Sequence, residues 1–293
     1  MISNRKLKTG AIFLSFILPA LILYTVFFLI PLSSGLLYSL TKWNGISSIK
    51  KYVGLNNFKE LFGDKRFLNS LSFTFKYAIL NVISINILAF LLALMLDMQI
   101  RGIGLLRSIF FLPNVISMII VGFIWQFFFT NVIGEIANWT GLTFLNQSWL
   151  GNPGIAFYSV TLVSVWRGAG YMMIIYLAGL QTINSELIDA SRIDGASGWK
   201  LFAYIILPLM IPSINICLFM TIANSFKMFD LVFAMTHGGP GYATEVISLN
   251  IYNEAFLSDR YGYGTAKAVV LMLMILIITY IQLKVLKKKE VVL

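Results

Sequence analysis

Long, uninterrupted apolar runs are the main feature of the chain. A transmembrane helix needs about 20 consecutive apolar residues, and six runs meet that length. They cover residues 11–32, 75–96, 109–129, 155–180, 214–235 and 266–286. The runs are continuous rather than alternating, which favours helices over a β-barrel. The pattern therefore predicts an all-α integral membrane protein, with one transmembrane domain of six helices over residues 1–293.

The composition excludes a water-soluble protein. Only 12% of the 293 residues are charged, against about 25% in a typical soluble domain. The net charge of +10 comes mainly from short basic segments beside the apolar runs, so membrane lipids rather than nucleic acid are the expected surroundings. Cys217 and His237 are each the single residue of their type. We therefore expect no disulfide and no metal site, and interpret Cys217 as a buried structural thiol.

The distribution of Lys and Arg predicts the orientation. Six spans place both termini on one side, together with the second and fourth connections. The second connection on the opposite side, residues 131–154, contains neither Lys nor Arg. Because basic residues are enriched on the inner side, both termini are predicted to be cytoplasmic. The basic residues assigned to this side are Arg5, Lys6, Lys8, Arg101, Arg107, Arg192, Lys200, Lys284, Lys287, Lys288 and Lys289.

The fourth and fifth runs are joined by a patterned cytoplasmic segment, residues 184–206. Asn184 or Ser185 can cap a helix, and Gly195 can adopt positive φ and end that helix before a second one over 199–206. One interpretation is an interfacial helix on lipid, which normally carries many Lys and Arg residues. Here the charges are balanced to acidic, which favours insertion into a soluble protein partner. These charges are Glu186, Asp189, Arg192 and Asp194.

Three motifs in this segment carry a resemblance. Asp189-Ala190-Ser191, Asp194-Gly195-Ala196 and Leu207-Pro208 with Pro212 resemble the signature loop of importer permeases of the ATP-binding-cassette (ABC) class. The leading Glu of that family is Asp189 here, which shortens its reach. The resemblance implies a coupling site for an ATPase. Its residues would be Glu186, Asp189, Ala190, Ser191, Arg192, Asp194, Gly195, Ala196 and Trp199.

Further motifs resemble the carbohydrate-uptake branch of that class and extend over nearly the whole chain. They are Phe110-Phe111-Leu112-Pro113, Trp166-x-Gly168-x-x-Tyr171, Ala178-Gly179-Leu180-Gln181, Phe229-Asp230 and Gly238-Gly239-Pro240. The resemblance implies the type I ABC importer permease fold in a prokaryotic cell membrane. It also implies a second permease subunit as heterodimer partner, an ABC ATPase dimer, an extracellular or periplasmic solute-binding protein, and a sugar substrate.

The chain carries no recognisable machinery for ATP hydrolysis. No G-x-x-x-x-G-K-[ST] phosphate loop occurs, and the segment Gly195–Lys200 has the wrong spacing for one. No nucleophile–base pair stands out. We therefore expect a non-catalytic subunit without a cofactor of its own. ATP and Mg would be bound by the partner ATPase.

Polar side chains at helical spacing on the fourth and fifth runs predict a solute pathway. The fourth run offers Ser164, Arg167, Gly168 and Tyr171, and the fifth offers Thr221, Asn224, Ser225 and Met228. Small polar residues also serve helix–helix packing in membranes, so that alternative stays open. Arg167 could face a cavity or a partner subunit, or could be paired structurally. Lys227 could snorkel to the membrane surface or pair with Asp230 at i,i+3.

Other substrates and classes remain as alternatives. Arg167 and Lys227 would suit an ABC importer for an anionic or other polar solute, such as glycerol phosphate. A secondary transporter would need ion-coupling carboxylates or broken helices at mid-membrane, and acids are scarce in these runs. A membrane-embedded enzyme acting on lipids would need a cluster of polar catalytic residues at the membrane interface.

Overall fold

The computed structural model describes residues 2–98 and 102–287, and the side chains of residues 13–98 and 102–286. The basic side chains of Arg5, Lys6, Lys8, Arg101 and 287–289, used above for the orientation, lie outside this part. The longest helices are α1 (Ile2–Tyr24), α2 (Ile30–Tyr38), α4 (Lys65–Leu96), α5 (Ile103–Val115), α6 (Met118–Phe127), α8 (Pro153–Gln181), α12 (Ile211–Phe226) and α15 (Tyr261–Lys287).

Shorter elements connect the long helices. They are a two-stranded antiparallel ribbon, β1 (Thr41–Lys42) and β2 (Lys51–Tyr52), and the helices α3 (Asn56–Leu61), α7 (Ile133–Thr140), α9 (Ser185–Ile193), α10 (Gly198–Leu201), α11 (Leu207–Leu209), α13 (Asp230–Met235) and α14 (Ile247–Tyr252). Four π-helical turns continue helices, at Thr25–Leu29, Phe128–Val132, Phe202–Ile206 and Asn253–Leu257, and Thr143–Leu145 is a 3₁₀ turn.

Five helices in the described residues are long and apolar enough to cross a membrane. They are Phe13–Tyr38, Lys65–Leu96, Met118–Thr140, Pro153–Gln181 and Tyr261–Leu286. A sixth span exists if Gly198–Leu209 and Ile211–Phe226, which meet at an angle of 66°, are counted as one bent span. The chain is therefore a multi-pass helical protein.

Two of the six predicted spans have to be corrected. The span predicted over 109–129 is broken, because Ile116 and Ser117 are extended and separate α5 from α6. The membrane-length helix there is Met118–Thr140, so it includes residues that were predicted to lie in an outer loop. The span predicted over 214–235 ends at Phe226, and the chain becomes helical again only at Asp230. Hydropathy averages over such breaks and cannot detect them.

The described residues form two compact units, Met1–Gly63 with Ile251–Val270, and Asp64–Asn250 with Leu271–Leu293. Charged groups hold the first unit together. Arg260 forms ion pairs with Glu60 and Glu254, and Lys267, which is fully buried, lies 3.2 Å from Glu254. Burial opposes the charge of Arg260, but the hydrogen bond to Glu60 and the charges of both glutamates outweigh it and raise the pKa of Arg260.

The second unit has a core in which α4 packs on α8 and α12. Ala89 and Ala93 of α4 are fully buried there, together with Met173 of α8 and Cys217 of α12. Small residues permit the close approach of helices in membranes. At Gly170 of α8, an added Cβ would lie 1.9 Å from the carbonyl oxygen of Phe110, so α5 can approach only a glycine. Cys217 is a free buried thiol, as predicted.

Candidate functional site

The second unit encloses a cavity of about 350 Å³ between α4, α8 and α12. It is lined by seven of the eight residues predicted for the solute pathway. Ser164, Arg167, Gly168 and Tyr171 come from α8, and Thr221, Asn224 and Met228 come from α12 and the residues that follow it. The two stripes predicted from helical spacing therefore face a common space.

Breaks in two helices border this cavity. Asn114 and Met118 line it on either side of the break between α5 and α6. Residues 227–230 line it where α12 ends and α13 begins. The last turn of a helix leaves carbonyl groups without intrahelical partners, and in a membrane such backbone is tolerated only against protein or a water-filled space. The breaks therefore expose polar backbone to the cavity.

Arg167 satisfies part of the exposed backbone. Its Nη2 donates to the carbonyl oxygens of Asn114 at 3.2 Å and Ile116 at 3.1 Å, and its Nε donates to Ile116 at 3.3 Å. The guanidinium can serve both carbonyls because it presents several donors in a fixed fork. Both interpretations of Arg167 thus hold in part, since the side chain lines the cavity and also binds the broken end of α5.

Helix α4 supplies the hydrogen-bonding partners of the predicted pathway residues. Tyr77 donates its hydroxyl to Ser164 Oγ at 2.7 Å, and Asn81 Nδ2 donates to Ser225 Oγ at 2.9 Å. Asn86 Nδ2 donates to Thr221 Oγ1 at 3.0 Å, and Asn86 Oδ1 accepts from the Tyr176 hydroxyl at 2.6 Å. These hydrogen bonds join α4 to both α8 and α12, so α4 is a wall of the site.

These bonds divide the predicted residues into two groups. Ser164, Thr221 and Ser225 are buried, and their hydroxyls bond neighbouring helices, as the packing alternative required. Ser225 is the one predicted residue that does not line the cavity, and its Oγ instead accepts from Asn81, which does. Arg167, Gly168, Tyr171, Asn224 and Met228 remain as cavity-facing candidates.

Sequence reasoning missed the contribution of α4. Tyr77 and Asn81 line the cavity, and Asn86 lies one turn further along the helix. The available signal was the presence of two asparagines inside the apolar run 75–96, where an unpaired amide would be costly. The candidate pathway was sought only on the fourth and fifth runs, so this signal was not used.

Lys227 and Asp230 both line the cavity, but they do not pair with each other. Within the described residues no nitrogen–oxygen contact of 4.0 Å or less joins them. The pairing expected at i,i+3 needs a continuous helix, and the helix stops at Phe226, with Phe229 at φ −137° and ψ −60°. Both charges are therefore presented to the cavity.

The predicted helix–turn–helix of residues 184–206 is present. Asn184 Oδ1 accepts from the backbone N–H of Glu186 at 2.9 Å and caps α9. At the other end, the N–H of Gly195 donates to the carbonyl of Arg192 and the N–H of Ala196 donates to that of Ser191. This pair of bonds is a Schellman motif, which requires a left-handed residue after the C-cap. Gly195 supplies it with φ +88°.

The residues predicted for coupling form a mostly exposed surface. Trp199 is 75% exposed, and Ile193, which was not among the predicted residues, is 87% exposed beside them. Ser191 is buried instead, and its Oγ donates to the carbonyl of Ile188 at 2.7 Å, so it shapes the turn rather than offering a contact. Ala196 is half-buried. The exposed remainder is Glu186, Asp189, Ala190, Arg192, Asp194 and Gly195.

Comparison with known proteins defines the class of the chain. Residues 85–290 match the family described as "Binding-protein-dependent transport system inner membrane component". The match covers more than half of the chain, and the chain belongs to this family of transport permease components. It is therefore a multi-pass membrane protein.

Individual relatives cover almost the whole chain. It is 39% identical to the probable starch degradation products transport system permease protein AmyD of Thermoanaerobacterium thermosulfurigenes, over 97% of each chain. It is 35% identical to the multiple sugar-binding transport system permease protein MsmF of Streptococcus mutans, over 94% of this chain and 96% of that one.

A solved structure confirms the fold. A chain of the bacterial alginate ABC transporter, crystallised in complex with an alginate pentasaccharide-bound periplasmic protein, is similar with a TM-score of 0.81. The similarity covers 95% of this chain and 94% of that chain, at 23% identity. The predicted fold, that of a type I ABC importer permease, is thereby confirmed.

Proposed function

We propose that the chain is the transmembrane permease subunit of an ATP-driven, binding-protein-dependent importer of a sugar or oligosaccharide. It forms half of the translocation pathway and pairs with a second permease subunit. The observation that carries the sugar assignment is its similarity, over nearly the full length, to AmyD and MsmF. The cavity supports it, because it combines amide and hydroxyl groups with the aromatic rings of Tyr77, Tyr171 and Phe229.

The energy comes from a separate ABC ATPase dimer, which binds ATP and Mg, while this subunit has no catalytic role. The exposed surface around Ile193 and Trp199 supports docking to that dimer, since two large apolar side chains lie beside a turn of balanced charge. Closure of the ATPase moves the turn at Gly195 and, through α9 and α10, the helices α8 and α12 that line the cavity. Solute reaches the cavity from an extracellular or periplasmic binding protein.

This scheme requires both termini and the segment 184–206 to be cytoplasmic. The orientation can be tested by attaching a membrane-impermeant maleimide to single cysteines at Ile193 and Trp139, which are 87% and 89% exposed. Cys217 is the single native cysteine and is buried, so its background labelling is low. In intact cells the cysteine at 139 should be labelled and the cysteine at 193 protected. The reverse pattern excludes the scheme.

The function itself is tested by uptake into proteoliposomes. The chain is reconstituted with the second permease, the ATPase and the binding protein, and labelled maltose, maltotriose, trehalose and raffinose are supplied with sn-glycerol 3-phosphate as the anionic alternative. We expect ATP-dependent uptake of at least one saccharide. Uptake of glycerol phosphate alone, or uptake without ATP, contradicts the proposal.

A further inference from the structure

We infer that Asp230 is a specificity-determining residue that accepts a hydroxyl of the transported solute, opposite Arg167, and so selects neutral polyhydroxylated solutes over anions. The inference rests on the proposed function, because it concerns the same cavity. The break after α12 places Asp230 at the cavity instead of in line with the preceding helix.

Asp230 has an unused carboxylate. In the described part of the chain it takes part in no side-chain hydrogen bond and in no ion pair, although it lines the same cavity as Arg167. No nitrogen–oxygen distance of 4.0 Å or less joins these two described side chains. A cation and an anion therefore line the same cavity without forming an ion pair. An ionised carboxylate can only accept hydrogen bonds, whereas guanidinium only donates. A sugar hydroxyl, which does both, fits between them.

Asn81, which lines the cavity, carries a further acceptor that no described residue satisfies. Ser225 Oγ donates its hydrogen to the carbonyl of Thr221 at 2.7 Å, so towards Asn81 the same oxygen can only accept. The group of Asn81 that faces Ser225 must then be its NH₂. Its Oδ1 is the remaining atom, and it is buried without a partner among the described residues. An acceptor of this kind is matched by a solute hydroxyl and not by an anionic oxygen.

The net charge of the cavity depends on Asp230. Arg167 and Lys227 are the cations among its lining residues, and Asp230 is the acid that opposes them in this part of the chain. Asp230 offsets one of these two cations, so it weakens the attraction of the cavity for an anion, and an anionic group placed beside Asp230 meets a like charge. Without that carboxylate the cavity would hold two cations, which is the arrangement an anion favours.

The test compares one saccharide with its own anion. Uptake assays on the reconstituted wild-type transporter first identify the transported member of the panel named above. Binding of that saccharide, and of its uronate with one primary alcohol oxidised to a carboxylate, is then measured on the assembled transporter by saturation-transfer NMR at millimolar concentrations. The variants are D230N, D230E and the matched control D259N, whose carboxylate lies in the other unit at a residue with φ +52° that Asn tolerates.

We expect D230N to lower the affinity for the neutral saccharide roughly 10-fold, because a hydrogen bond to a charged acceptor is replaced by a weaker one to a neutral amide oxygen. It should also raise the affinity for the uronate, so that the preference is reversed or removed. D230E, which keeps the charge but moves it, should weaken binding of the saccharide and still exclude the uronate. D259N should change neither affinity.

Several results would overturn the inference. They are equal losses for both ligands in D230N, unchanged binding in D230N, or no saccharide binding by a wild-type transporter that does take the saccharide up. If wild type takes up no saccharide at all, the proposed function fails instead. If D230N does not assemble, D230E alone decides, because retained exclusion of the uronate with weaker saccharide binding supports the inference and an unchanged profile contradicts it.

Discussion

In the segment 184–206, the bonds that shape the backbone join residues at most five positions apart, such as Ala196 and Ser191. In the cavity, the bonds that shape the walls join residues 51 to 144 positions apart, from Arg167 with Ile116 to Asn81 with Ser225. The first region is therefore a local device that can move as a unit. The second region holds separate helices together, and we call these long-range bonds the clamp. Any movement of α8 against α12 must strain the hydrogen bonds that the two helices make to α4.

The largest effect is expected at the turn of the local region. Gly195 has φ +88°, and a β-branched residue is strained there although no atom lies within 4 Å of an added Cβ. Gly195→Val should therefore lower ATP-driven uptake more than 10-fold while the assembly keeps hydrolysing ATP, since the strain, roughly 1–2 kcal/mol or more, unwinds the turn. Uptake and ATPase activity are measured on the same proteoliposomes.

Gly195→Asn is the control for that substitution, because Asn tolerates left-handed backbone. It should retain most of the uptake. Normal uptake by Gly195→Val would show that the turn does not transmit force.

The next effect concerns the clamp. Arg167→Met removes the donors that serve the carbonyls of Asn114 and Ile116. Hydrogen bonds to charged groups contribute roughly 1.5–3 kcal/mol, so the midpoint of thermal unfolding of the solubilised chain should fall clearly. Arg192→Met, which removes an exposed guanidinium from α9, should leave the midpoint unchanged. Equal midpoints for the two variants would mean that Arg167 does not stabilise the broken helix.

A smaller effect is expected for the bond between α4 and α8. The hydroxyl of Tyr176 donates to Asn86 Oδ1 at 2.6 Å. A double-mutant cycle with Tyr176→Phe and Asn86→Leu should give a coupling of about 0.6–1 kcal/mol, in the range of such bonds in membrane proteins. The pair Tyr171→Phe and Asn86→Leu serves as control, with no coupling expected. A coupling of zero for Tyr176 would remove this bond from the clamp.

The smallest effect on stability is expected at the surface of the coupling segment. Asp189 and Arg192 form an exposed pair at 3.5 Å, and such pairs contribute about 0–1 kcal/mol. Asp189→Asn should therefore leave thermal unfolding unchanged but lower uptake several-fold, because the proposed ATPase contact would lose its acid. A shift in unfolding with normal uptake would assign Asp189 a structural role only.

The features that could be predicted from the sequence are those shaped by local bonds, and the features that could not are shaped by long-range ones. The turn at Gly195 and the cap at Asn184 could be predicted, because each depends on neighbouring residues alone. Which hydroxyls bond a neighbouring helix could not be predicted. Ser225 and Thr221 have the same helical spacing as Asn224 and differ from it only in their distant partners on α4. The breaks at 116–117 and 227–229 were missed because the hydropathy averaged over each run stays high across them. Arg167 was noticed, but its partners on α5 lie far away in the sequence.

The most direct test of the central claim, that the segment 184–206 docks on a separate ATPase, is site-specific photocrosslinking in the assembled transporter. A photoreactive amino acid replaces Ile193 in one preparation and Trp139 in another, two side chains of almost equal exposure. The claim predicts a crosslink from position 193 to the ATPase subunit, which is reduced when ATP closure is blocked, and none from position 139. A crosslink from 193 to lipid alone, or an ATPase crosslink from 139, would contradict it.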